Sequence, residues 1–171
     1  MSFFLKLKFW KVSERGKLQN SLRINADCVL FKNIRVIYNK NMKAECTLRV
    51  RSYECDGYNH VNNANYLNYL EYARCEFLKD AGFDYEKAVK DGYGIYVARI
   101  EIEYKKPAFT DDSLVIKTSP IKKGAVSGTL EQKIHRGDDL LAEAEVTWAF
   151  VDSKGMPVKI PAEFDVPGLK P

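Results

Sequence analysis

Between Leu140 and Val151 the residues Ala142, Ala144, Val146, Trp148 and Phe150 alternate with Glu143, Glu145 and Thr147. Successive side chains of a strand point to opposite faces, so this segment makes a strand with one dry face and one wet face. Such a strand belongs to an antiparallel sheet with one face covered, because parallel sheets are buried on both sides. Cys46, Leu48 and Val50 alternate with Glu45, Thr47, Arg49 and Arg51 in the same way, which predicts a first strand from Ala44 to about Tyr53. Further strand-like runs cover Ile95 to Tyr104, Leu114 to Ser119 and Val126 to His135. Lys123-Gly124 and Arg136-Gly137-Asp138-Asp139 supply turn chemistry, so the last three runs form an antiparallel meander.

The covering layer is also legible. Tyr66, Leu70, Ala73 and Phe77 recur at spacings of four, three and four, with Leu67, Leu78 and Ala81 widening the stripe. This is an amphipathic helix that ends near Gly82, and Asp84 to Lys90 adds one further helical turn. One long helix against one antiparallel sheet of five strands is an α+β arrangement. A single helix covers only part of a sheet face, so pairing of sheet edges or covering of the remaining face by a second copy is the natural completion.

The net charge of +4 belongs to the head of the chain. Residues 1–41 hold nine of the 27 lysines and arginines and two of the 23 acids, leaving 18 basic against 21 acidic residues in the other 130. The main body therefore offers no support for nucleic-acid binding. Lysines interrupt the apolar opening of the head, which argues against a secretory signal; a transit peptide, a basic aromatic arm on an anionic membrane, and an extension upstream of a start at Met42 remain open. No run approaches the roughly 20 apolar residues of a membrane-spanning helix, so no stable membrane anchor is expected. Cys28, Cys46, Cys55 and Cys75 lack zinc-site spacing and are too sparse for a disulfide scaffold, which suits reduced thiols in the cytoplasm. With His60 and His135 the only histidines, a His-rich metal site is not expected. The organisation read from these patterns is a basic, poorly ordered extension over residues 1–41, one domain over residues 42–155, and an irregular Pro-rich tail over residues 156–171.

The chemistry concentrates in Asp56-Gly57-Tyr58-Asn59-His60-Val61-Asn62-Asn63-Ala64-Asn65-Tyr66, which sets a carboxylate, an imidazole and four asparagines between a strand and a helix start. Asn62 or Asn63 is a good N-cap, so the free N–H groups of the first turn begin here. With the helix dipole they offer a positive end for a developing oxyanion. Asp56, seven residues before Asn63, reaches the same opening as nucleophile or general base; its structural alternative is stabilisation of the helix N-terminus.

This run resembles the signature of hotdog-fold acyl-CoA thioesterases of the 4-hydroxybenzoyl-CoA thioesterase-like family. The matching pieces are Asp56, His60-Val61-Asn62-Asn63, Tyr66 and Glu71-Tyr72-Ala73-Arg74, with similarity continuing through Ile102-Glu103-Tyr104-Lys105-Lys106-Pro107-Ala108. It covers about residues 44–151, is nearest to bacterial long-chain acyl-CoA thioesterases, and is more distant from plant acyl-carrier-protein thioesterases. The resemblance implies a hotdog fold over residues 42–155 and hydrolysis of a fatty or aromatic acyl-CoA to free acid and coenzyme A, without metal or other cofactor. It makes Asp56 the catalytic carboxylate and the Asn63 backbone N–H the group that polarises the carbonyl. His60 holds a supporting catalytic place, since the Asn that accompanies the corresponding His in the plant enzymes is Tyr58 here, and Tyr66 borders the substrate. It also implies a homodimer or homotetramer with sites at the subunit interface.

Other residues carry plainer expectations. Glu71 and Arg74 read as a helix-surface ion pair. Cys55 points away from Asp56 as an inert, buried thiol, and His135 offers nothing distinctive. Lys105, Lys106, Lys122 and Lys123 either meet the phosphates of coenzyme A or are simply solvated. The alternatives to hydrolysis of acyl-CoA are a non-catalytic acyl-CoA or acyl-carrier-protein binding module, an acyl-carrier-protein thioesterase, and a hydratase on the same fold.

Overall fold

The computed structural model describes residues 44–171, and the readings of residues 1–41 and Cys28 lie outside the described residues. Five strands, β1 (Ala44–Arg49), β2 (Gly94–Tyr104), β3 (Ser113–Lys123), β4 (Ser127–Arg136) and β5 (Asp139–Val151), form one sheet in the order β1-β3-β4-β5-β2. Every neighbouring pair is antiparallel, and β3-β4-β5 is the meander that the turn residues predicted. Between β1 and β2 the chain runs through α1 (Asn63–Asp80) and the short α2 (Tyr85–Lys90).

The first strand is shorter than its alternation predicted. It ends at Arg49, and Ser52–Glu54 is a 3-10 turn. The cause is local: the Glu54 carboxylate captures the Arg51 N–H at 2.7 Å, drawing the backbone into the turn instead of the ladder. At its other end β3 is longer than predicted and passes through Pro120, which has no N–H to give a ladder. Pro120 is tolerated beside an irregularity, since the register of β3 against β4 shifts between Pro120 and Lys122.

α1 begins where the caps predicted. The Asn62 side chain accepts the Ala64 N–H at 2.9 Å, as an N-cap does. At the far end Gly82 takes φ +83°, its N–H reaches the Lys79 carbonyl, and the Phe83 N–H reaches that of Leu78. That pair of bonds is a Schellman closure, which needs a left-handed residue at this position. Tyr66, Tyr69, Leu70, Ala73, Phe77 and Leu78 face the sheet. Burying each of the larger apolar ones is worth roughly 1.5–3 kcal/mol.

Two apolar clusters result. One joins Leu70, Ala73 and Tyr66 to Leu114, Ile116, Ile134 and Val146, and the other gathers Phe77, Leu78, Trp148 and Phe150. The second also takes in Ile160, Phe164 and Leu169, so the tail after β5, which holds one 3-10 turn at Pro167–Leu169, is packed onto the sheet.

The expected Glu71–Arg74 surface pair does not form. Arg74 turns inward and donates to Gln132 Oε1 at 3.0 Å. Gln132 is fully buried in β4, and its Nε2 already donates to the Leu70 carbonyl and Thr118 Oγ1, each at 3.0 Å. The amide oxygen is left needing a donor, and a buried acceptor without one is costly. Desolvation in that place pushes the Arg74 guanidinium below its ordinary pKa.

β2 forms the edge of the sheet away from β1. A bulge between Val97 and Arg99 shifts its register against β5, so Ile95 and Val97 lie opposite Phe150 and Trp148, whereas Ile100, Ile102 and Tyr104 lie opposite Val146, Ala144 and Ala142. All five belong to the inner face, yet Val97 and Tyr104 remain 46% and 45% exposed.

Candidate active site

The loop between β1 and α1 is a hairpin-like closure fixed by its own backbone. The Asp56 N–H donates to the His60 carbonyl at 2.9 Å, and the Asn59 N–H returns to the Asp56 carbonyl at 3.0 Å. Asn59 sits at φ +63°, a left-handed conformation that Asn tolerates better than most side chains. Asp56 Oδ1 accepts the Tyr58 N–H at 2.9 Å, which orients the carboxylate across the turn.

The same loop is tied down from outside. The Val61 N–H reaches the Ala108 carbonyl at 2.8 Å, and the Asn62 N–H reaches the Glu54 carbonyl at 3.0 Å. The Asn65 side chain also donates to the Glu54 carbonyl, at 2.7 Å, and the Tyr69 hydroxyl donates to the Glu54 carboxylate at 2.8 Å. Burial and the Glu54 carboxylate together push the Tyr69 phenol far above its ordinary pKa, so it stays a donor. Glu54 is therefore the anchor of the helix entrance, a residue that the sequence patterns did not single out.

Asp56, His60, Asn63 and Tyr66 come together on one cavity of about 300 Å³, which opens to solvent and is also lined by Tyr104 and Lys105. The four residues singled out in the sequence thus line the same opening. His60 Nδ1 stands 3.6 Å from Asp56 Oδ2 and 3.3 Å from the Val61 carbonyl. The first distance is too long for a hydrogen bond, so the imidazole stands beside Asp56 without bonding to it. The Asn63 N–H, first in α1, meets no acceptor among the described residues. It is one of the donors that a helix start leaves free, at the positive end of an 18-residue helix.

Tyr66 forms the cavity floor more than its mouth. It is 3% exposed, and its hydroxyl oxygen accepts the Ala108 N–H at 3.1 Å. Burial pushes its phenol above the ordinary range, so it is neutral at physiological pH. Tyr104, which sequence reading quoted only as part of a longer run, lies edge-on to Tyr66 at 5.2 Å and donates to the Asn63 carbonyl at 3.2 Å.

The remaining candidates separate cleanly. Lys105 and Lys106 border the cavity, with Lys105 paired to Glu143 at 2.9 Å and Lys106 to Asp139 at 2.5 Å. Lys123 is committed elsewhere, 2.9 Å from Asp165. Cys55 Sγ lies 3.3 Å from Thr110 Oγ1 and packs on the core. His135 lies in β4 opposite Val115 and Leu140, outside the cavity lining. Among the described residues no group of three His, Cys, Asp or Glu side chains is placed to hold a metal ion, and no helix is long and apolar enough to cross a membrane.

A carboxylate and an unpaired helix-start N–H on one small opening suit attack on a carbonyl carbon while its oxygen is held. Residues 50–167 match the family described as the thioesterase-like superfamily. The chain is 33% identical over 109 residues to the long-chain acyl-CoA thioesterase FadM of Escherichia coli, an alignment covering 63% of this chain and 82% of that protein. It is 29% identical over 126 residues to the chloroplastic acyl-acyl carrier protein thioesterase ATL3 of Arabidopsis thaliana, covering 69% of this chain and 63% of the relative, less than two thirds of its length. Among solved structures, a probable thioesterase from Bartonella henselae superposes with a TM-score of 0.67 at 29% identity, covering 70% of this chain and all of that one. The chain belongs to the thioesterase-like superfamily of thioester hydrolases and has their hotdog fold.

Proposed function

We propose that this protein hydrolyses an acyl-CoA thioester to a free fatty or aromatic acid and coenzyme A. One observation carries the reading: the Asp56 carboxylate and the unpaired Asn63 N–H face the same 300 Å³ opening. Asp56 either attacks the thioester carbon, to give an anhydride that water then opens, or takes a proton from the attacking water. In both routes the carbonyl oxygen gains charge against the Asn63 N–H and the C–S bond breaks, with the sulfur leaving as coenzyme A thiolate. His60 supports by its position beside Asp56, and Tyr66 shapes the floor under the acyl group. Lys105 and Lys106 at the rim suit the phosphates of coenzyme A. Free thiols at Cys46, Cys55 and Cys75 suit a reducing compartment, which we take to be the cytoplasm.

The working unit in this reading is a homodimer formed by antiparallel pairing of β2 edges, with further pairing into a tetramer left to experiment. Pairing about Ile100 sets Arg99 against Glu101 of the partner subunit twice over and keeps the inner faces aligned. It also covers Val97 and Tyr104 and brings the cavity of each protomer to the interface.

The test is thiol release from an acyl-CoA panel running from acetyl to palmitoyl and including benzoyl, with an acyl-carrier-protein thioester beside it. Asp56→Asn should lose at least about a hundredfold in kcat, the scale of a catalytic base. Full turnover by Asp56→Asn in an esterase-free preparation removes Asp56 from the mechanism. Saturable binding without turnover in the wild type makes the protein a binding module instead.

A further inference from the structure

The Asn63 N–H belongs to the peptide joining Asn62 and Asn63, and the structure fixes the peptide on each side of it. The preceding N–H, of Asn62, is held by the Glu54 carbonyl at 3.0 Å. In the following peptide the Ala64 N–H is held by the Asn62 side chain at 2.9 Å, and the Asn63 carbonyl is held by the Tyr104 hydroxyl at 3.2 Å. The one peptide left free to donate is thus clamped between two pinned neighbours. Two of these three partners are local to the loop and helix start; Tyr104 is not, being the last residue of the edge strand β2.

Tyr104 is itself held on several sides. Its ring stands at 81° to that of Tyr66, 5.2 Å away, and Tyr66 is fixed by the Ala108 N–H. Ala108 in turn receives the Val61 N–H, so the segment from Tyr104 to Ala108 grips the catalytic loop at two points. Lys105 and Lys106 both donate their N–H groups to the Leu141 carbonyl, anchoring this segment to β5.

We propose that Tyr104 is a positioning residue that sets the aim of the Asn63 N–H and couples it to the edge strand. The inference rests on the reading of that N–H as the group that polarises the thioester carbonyl. A donor directed at a developing oxyanion is effective only if it need not reorganise during the reaction, and a tyrosine hydroxyl on the adjacent carbonyl limits tilting of the first helical turn. Because β2 is also the strand offered to a second copy, the partner that covers Tyr104 steadies the oxyanion donor as well.

Tyr104→Phe tests this in the full chain, since it removes one hydroxyl and keeps the ring against Tyr66. The expected result is a fall in kcat of about tenfold, the scale of an outer hydrogen bond to a site group. KM should stay within about twofold of the wild type at unchanged melting temperature and oligomeric state. Amide hydrogen exchange at Ala64 and Asn65, the bonded amides of the first turn, should quicken, which a residue that only packs would not produce. Wild-type kcat together with unchanged exchange at both amides overturns the proposal, as does a loss confined to KM. If the wild type releases no thiol from any thioester, the thioesterase reading fails, and the exchange measurement still decides whether Tyr104 holds the helix start.

Discussion

Replacing Asn62 separates what its side chain does for the helix from what the helix start does for the reaction. Asn62→Ala removes the acceptor of the Ala64 N–H and should cost about 1 kcal/mol, within the range of roughly 0.5–2 kcal/mol for lost N-caps. In a chain of this size that lowers the melting temperature by about 2–4 °C per kcal/mol. Asn62→Asp keeps an acceptor and adds an anion at the positive end of α1, which is worth about 0.3–1 kcal/mol in its favour, so this variant should melt at or above the wild type. Its effect on turnover runs the other way. A carboxylate roughly 6 Å from the oxyanion, at an effective dielectric near 20, opposes it by about 3 kcal/mol. That is about a hundredfold in kcat. The assay pairs thermal denaturation with thiol release at pH 7, where the new carboxyl is ionised. Equal destabilisation by both substitutions refutes the capping argument. Full turnover by Asn62→Asp refutes the placement of the oxyanion at this helix start.

Other expectations follow from particular contacts. Arg99→Glu should weaken self-association in sedimentation experiments by setting like charges across the β2 pair, and the added Glu101→Arg should restore it; unchanged association in the single variant removes β2 from the interface. Gln132→Leu leaves Arg74 and Thr118 without their buried partner and should cost about 2–4 kcal/mol in urea unfolding, while the added Arg74→Met should recover much of it because both members of the pair are then apolar. The Asp165 carboxyl is held below its ordinary 3.8 chiefly by Lys123. The stabilisation this represents is therefore present above the unfolded pKa and lost as pH falls through the lower folded one. Lys123→Met should accordingly reduce stability at pH 7 and converge on the wild type in acid; a constant difference across that window contradicts the pairing. The lysine lies 2.9 Å from Asp165 Oδ1 without hydrogen-bond alignment, an ion contact over an oxygen otherwise unpaired.

Much of the architecture was written in local pattern. The alternation from Ala142 to Phe150 identified the buried face of β5, and the spacing from Tyr66 to Phe77 identified the buried face of α1. Asn62 and Gly82 marked the two ends of that helix because caps act over three or four residues, within reach of a sequence window. The cluster of Asp56, His60, Asn63 and Tyr66 was legible for the same reason: eleven consecutive residues form the loop and first turn that carry it. Where local rules misled, a competing partner decided. The Glu54 carboxylate ended β1 early, and Gln132, 58 positions from Arg74 in the chain, drew that side chain away from Glu71.

The sequence by itself therefore determined the elements, their inward faces and the residue types at the helix start. Only the tertiary structure decided which strand forms the edge of the sheet away from β1, how the bulge between Val97 and Arg99 reverses the faces of β2, and which distant groups hold the loop. Tyr104 meets the Asn63 carbonyl from 41 residues away, and Ala108 meets Tyr66 from 42. Periodicity reports the direction of a side chain relative to its own element and carries no information about which other element lies opposite. That is set by strand order and register, through hydrogen bonds and packing between segments remote in the chain.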